Sequence, residues 1–157
     1  MATKSADQWF AEYGESHRHP TNKAIHWICV PTIAACLLAL LWEAPTPPAL
    51  ERTWWLNWAT LLAAASLVFY VRLSPSLAVG MAIFVAIVVV GIALYERWVA
   101  APIWQSASLA FVLAWVGQFI GHSIEGKKPS FFQDVQFLLI GPIWLLSFVY
   151  RRLGIPY

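Results

Sequence analysis

The stretch AIFVAIVVVGIAL, Ala82 to Leu94, contains no charged or hydrogen-bonding side chain. It is the centre of a longer uncharged segment, Pro75 to Tyr95. At about 1.5 Å of rise per residue, that segment as an α-helix matches a hydrocarbon core roughly 30 Å thick. A helix apolar on every face belongs inside a large core or a membrane. A chain of 157 residues offers no such core, so the segment reads as a transmembrane helix.

Working outward, RLSP (Arg72 to Pro75) is all that separates this helix from a second apolar segment, Trp54 to Val71. The two form a tight hairpin. Ala24 to Trp42 is a third uncharged segment, bounded by Trp27 and Trp42, rings that favour the membrane interface. Trp98 to Gly121 holds Gln105 and Gln118, and Val135 to Tyr150 is interrupted by Gly141-Pro142. Composition agrees: 60% of residues are hydrophobic and 11% charged, against about 25% charged in a soluble domain. Mean hydropathy is +0.63. The expected fold is therefore all-α, a single-domain integral membrane helical bundle of four to five transmembrane helices.

Before the first span, SADQWFAEY (Ser5 to Tyr13) reads as a short amphipathic interfacial helix. Ser5 is its cap, and Trp9, Phe10 and Tyr13 share one face. With Lys4, Asp7 and Glu12 and no apolar centre, Met1 to Tyr13 does not resemble a cleaved signal. Net charge of +2 with scattered basic residues gives no nucleic-acid surface. Cys29 and Cys36, about 10 Å apart along one helix, are too distant to bridge and read as apolar packing.

The end of the bundle that carries the N-terminus also holds Lys4, Arg18, Lys23, Arg72, Lys127 and Lys128, while the other end holds Arg52 and Arg97. The positive-inside rule places the first end in the cytosol. Arg151 and Arg152 join that majority only if the fifth segment is re-entrant or lies along the membrane. The expectation is a full crossing, with the re-entrant course as its alternative.

His17, His19 and His26 open the first span, and four crossings return His122 to the same face. Pro20 suits the first turn of a helix, which leaves His19 just outside it. Asn22 and His26, four apart, share a helix face, as do His122 and Glu125, three apart. Ionisable groups at membrane depth are expensive and tend to mark function. Four imidazoles and a carboxylate at one end form a candidate metal site, at which imidazole suits iron, zinc or copper.

Tyr13-x3-His17-x2-Pro20-x-Asn22-x3-His26 followed by Val30-Pro31, together with GQFIGHSIEGKKPSFFQDVQFLLIGP (Gly117 to Pro142), resembles a family of small multispan proteins. Its fungal members are Fe(II)-dependent 2-hydroxy fatty acid dioxygenases of the endoplasmic reticulum, acting in phytosphingosine breakdown. The resemblance covers essentially the whole chain. It implies α-oxidation, in which a 2-hydroxy fatty acid and O₂ give a fatty acid one carbon shorter plus CO₂. It also implies Fe(II) held by His17, His26 and His122, with His19 as a fourth candidate, and Asn22 and Glu125 as catalytic groups. Arg18, Lys23, Lys127 and Lys128 are the nearby cations for the substrate carboxylate, while the acyl chain lies between the spans in the bilayer. Activity should fall below about pH 6.5, where a free imidazole protonates. The histidines also admit a zinc-dependent lipid amide hydrolase, and a non-catalytic or haem-carrying membrane subunit is a third reading. Oligomeric state is left open.

Overall fold

The computed structural model describes residues 4–47, 53, 55–128 and 136–157, and is helical throughout its regular structure. Arg52, Trp54, Pro129 and Val135 lie outside the described residues. A short helix, α1 (Ala6–Gly14), leads into α2 (Pro20–Glu43), α3 (Trp58–Leu73), α4 (Pro75–Trp98), α5 (Ile103–Glu125) and α6 (Phe137–Leu153).

Local chemistry sets most boundaries. Ser5 caps α1 through a reciprocal pair with Gln8. Pro20 occupies the first turn of α2, where its missing N–H removes nothing. Ser74 ends α3 and caps α4 at once, which gives the tight hairpin. Gly126 ends α5 in the left-handed conformation (φ 72°), which glycine adopts without a Cβ clash.

Helices α2, α4 and α5 are long and apolar enough to cross a membrane, and α3 is a shorter apolar helix of 16 residues. These four form the bundle. The closest pair is α2 and α5, antiparallel along their whole length. Asn22 meets Gly121 and Cys29 meets Gly117 near one end, and Glu43 accepts from the Trp104 N–H at the other. Gly117 and Gly121 make this approach possible: a Cβ on Gly117 would lie 2.7 Å from Cys29 Sγ, and one on Gly121 would collide with Asn22 Oδ1. Small residues four apart are the usual means of close helix packing in lipid. Gly121→Ala is therefore expected to push α5 off α2. Because His122, a candidate metal ligand, is the next residue, the variant should take up much less metal than the wild type while still inserting; elemental analysis of the purified proteins checks this.

The fifth apolar segment is one continuous helix through Gly141-Pro142, and it does not run alongside the others. The Tyr70 hydroxyl donates to the Leu139 carbonyl, beside the proline that removes one backbone donor from that turn. The Tyr150 hydroxyl donates to the Ser76 carbonyl. Leu139 and Tyr150 are about 16 Å apart along a helix, yet their partners, Tyr70 near the end of α3 and Ser76 at the start of α4, flank one short turn. Trp27 near the start of α2 packs on Phe148, and Trp9 and Tyr13 of α1 pack on Phe137. All these partners lie at the end of the bundle where α2 begins. So α6 packs with α1 against that end of the bundle.

Candidate metal centre

Three histidines meet beneath this double cover. His17 comes from the turn between α1 and α2, His26 from the second turn of α2, and His122 from the last turns of α5. All three are nearly inaccessible, at 1%, 1% and 4% exposure. Ring centroids are 4.3 Å apart for His17 and His26, and 4.9 Å from each of these to His122. One ring nitrogen of each lies within 4.8 Å of the others.

The hydrogen bonds decide which nitrogens are available. His17 Nδ1 lies 2.6 Å from the Tyr13 carbonyl, and His26 Nδ1 lies 2.9 Å from the Asn22 carbonyl. A carbonyl can only accept, so both Nδ1 atoms carry the proton and, in the neutral rings, both Nε2 atoms present lone pairs. Those two Nε2 atoms face each other at 2.9 Å. Two lone pairs at that distance repel unless a proton or a cation lies between them. His122 Nδ1 is also buried, with no hydrogen-bond partner among the described residues. Two nitrogens bound at about 2.0–2.1 Å to one first-row ion, with bonds near a right angle, sit roughly 3 Å apart. The donor set fits a metal, and the fixed Nδ1–H contacts are the usual outer support of metal-binding imidazoles.

Burial first, and then the neighbouring His26, push the His17 imidazole down from 6.5 to about 3. Its folded value is thus below its unfolded one, so the unfolded chain binds the extra proton between about pH 6.5 and 3. Metal-free protein should be fully stabilised by neutral His17 above pH 6.5. It should lose stability as pH falls through that window, by up to about 1.4 kcal/mol per pH unit. Denaturant titrations of chelated protein at pH 7 and pH 5 check the sign.

Glu125 does not join the three rings. Its carboxylate accepts from the backbone N–H of Arg18 (2.9 Å) and of His19 (2.8 Å), and from Asn22 Nδ2 (3.2 Å). Asn22 Nδ2 also donates to the Ser16 carbonyl. Together they clamp the turn that carries His17 onto the end of α5. The carboxylate's charge sits at the N-terminus of α2, where the helix dipole favours it.

His19 is exposed and stays apart from the three rings. Its Nδ1 accepts from the Thr21 N–H, which makes it the cap of α2. Arg18 and Lys128 are exposed, Lys23 is half-buried, and Lys127 donates to the Glu15 carbonyl.

A cavity of about 610 Å³ opens beside the centre, with His122, Gln118 and Tyr13 at its polar end. From there it runs between α2, α3, α4 and α5, past Tyr70 and Met81 and down to Phe111 and Leu62, under the first half of α6. Its lining is otherwise almost wholly apolar, and none of Arg18, Lys23, Lys127 and Lys128 contributes to it. A family model described as 2-hydroxy-palmitic acid dioxygenase Mpo1-like matches residues 3–153. The chain belongs to the Mpo1-like family. No curated protein and no solved structure matches it.

In this Mpo1-like chain, sequence reasoning overlooked two contributors at the mouth. The Tyr13 ring stacks on His17, with centroids 4.1 Å apart and planes at 15°. Burial raises the Tyr13 phenol far above its usual range, so it remains a hydrogen-bond donor. Gln118 reaches His26 from α5. Both carried a signal: Tyr13 opens the first motif, and Gln118 is one of two amides inside an apolar span.

Proposed function

We propose that this protein is an Fe(II)-dependent 2-hydroxy fatty acid dioxygenase. The reaction consumes one 2-hydroxy fatty acid and one O₂, and releases a fatty acid shorter by one carbon, CO₂ and water. The observation that carries the reading is the pair of bare, facing Nε2 atoms of His17 and His26, completed by His122 at the polar end of a long apolar cavity. Family membership supplies the dioxygenase chemistry and the substrate class.

His17, His26 and His122 would hold the iron as neutral ligands. Iron held there would supply Lewis-acid and O₂-activating chemistry at the polar end of the cavity. The protein's own groups do the rest. The Tyr13 and Asn22 carbonyls fix the two imidazoles through Nδ1. The Tyr13 hydroxyl and the Gln118 amide are placed to donate to the head group at the cavity's polar end. Apolar residues between α2, α3, α4 and α5 take the acyl chain and exclude water, and the cavity's volume falls within the usual ligand range of about 300–1,000 Å³. The four basic residues Arg18, Lys23, Lys127 and Lys128 act as a diffuse positive field at the membrane surface, drawing the carboxylate in without touching it. With α6 on the same face, the cations gather at the metal end, which the positive-inside rule assigns to the cytosol.

Anaerobic purification and elemental analysis, followed by O₂ uptake with a saturated 2-hydroxy fatty acid, test the reading. The expected result is one iron per chain, with O₂ consumption matched by CO₂ and the shortened acid. Zinc at one per chain with no O₂ uptake would overturn it in favour of a hydrolase.

A further inference from the structure

The cavity beside His122 ends against Leu38, Ala63 and Val85. Directly behind them is a second void of about 20 Å³, lined by the same three residues and closed by Trp42, Val89 and Ile92. Each step from the first void to the second leads away from the histidines: along α2 from Leu38 to Trp42, and along α4 from Val85 to Ile92. Leu38 and Ala63 are buried at 7% and 8% exposure. Three side chains, one from each of three helices, are thus a thin partition between a large space and a small one in line with it.

We infer that Leu38, Ala63 and Val85 are the end stop of an acyl-chain ruler and set the length of substrate that this protein accepts. The inference rests on the acyl-chain reading of the cavity given above. With the head group held at His122, each further methylene before the partition exchanges lipid contacts for packed protein contacts and is accepted at little cost. A carbon beyond it meets packed side chains and is penalised as an overpacked core would be. Removing the partition joins the second void to the first. Enlarging Ala63, the smallest of the three, moves the stop towards the metal.

The full chain in lipid nanodiscs, as wild type, Leu38→Ala, Val85→Ala and Ala63→Leu, tests this with two readouts. The first is turnover across saturated 2-hydroxy fatty acids that differ by two carbons. The second is displacement of a fluorescent fatty acid by unsubstituted saturated acids of the same lengths, which needs no chemistry. Leu38→Ala and Val85→Ala should move the preferred length up by about two carbons, and Ala63→Leu should move it down, with about a tenfold loss for the longest acid from overpacking. Opposite shifts from the two kinds of variant exclude simple destabilisation. Identical profiles in all four proteins would overturn the ruler while leaving the proposed activity standing. Shifts in displacement alone, without turnover of any 2-hydroxy acid, would support the ruler and sink the activity.

Discussion

His26→Ala is expected to lose its metal and its activity together. The ring is essentially inaccessible, its Nδ1–H is committed to the Asn22 carbonyl, and its Nε2 is the nearest neighbour of His17 Nε2. Removing it leaves His17 and His122 as a two-ligand site. Changes to groups that only support a ligand typically reduce metal affinity about 10–100-fold, so loss of the ligand itself should exceed that. His17→Ala and His122→Ala should behave alike. Metal content and O₂ uptake measure the effect, and circular dichroism verifies that the helices persist. Wild-type iron in all three variants would place the centre elsewhere.

Glu125→Ala should weaken metal binding by about 10–100-fold without touching a ligand. Its carboxylate gathers the N–H groups of Arg18 and His19 and the Asn22 amide, and through them holds the turn that ends in His17. Without it those donors turn to water and the turn loses its anchor on α5. Glu125→Gln keeps one acceptor oxygen and should lose less. That graded order separates a positioning role from ligation, because a ligand carboxylate would fail as completely in the Gln variant as in the Ala one. Metal dissociation constants for the three proteins decide between the two roles, and an unchanged constant in Glu125→Ala would rule the clamp out.

Much of this was legible from sequence for reasons that are local. Every backbone polar group in a bilayer must be satisfied within its own helix, so the uncharged segments had little choice but to be helices. Ser5, the His19-Pro20 pair and Gly126 mark ends that depend only on neighbouring residues. That His17, His26 and His122 share one membrane face follows from counting crossings. The ring nitrogens that meet are a different matter. His19 has the same residue type and sits on the same face, yet it serves as a cap because the chain direction at Pro20 turns its ring towards Thr21. Glu125 is three residues from His122, but the open N-terminus of α2 lies across from it and takes both oxygens. The Gly117–Gly121 spacing is plain in the chain but names no partner helix, and it is what brings Asn22 against α5.

By itself the sequence determined a helical membrane bundle with all four histidines delivered to one end, because apolar length and crossing parity survive any rearrangement of helix neighbours. Only the tertiary structure decided that α6 covers that end. Its 17 residues name no packing partner, and the Tyr70–Leu139 and Tyr150–Ser76 hydrogen bonds tie it to the end of the bundle where α3 meets α4. The same packing turns the His17 and His26 lone pairs towards each other and brings His122, about a hundred positions further along the chain, beside them at the head of a long apolar space, a juxtaposition that no local preference encodes.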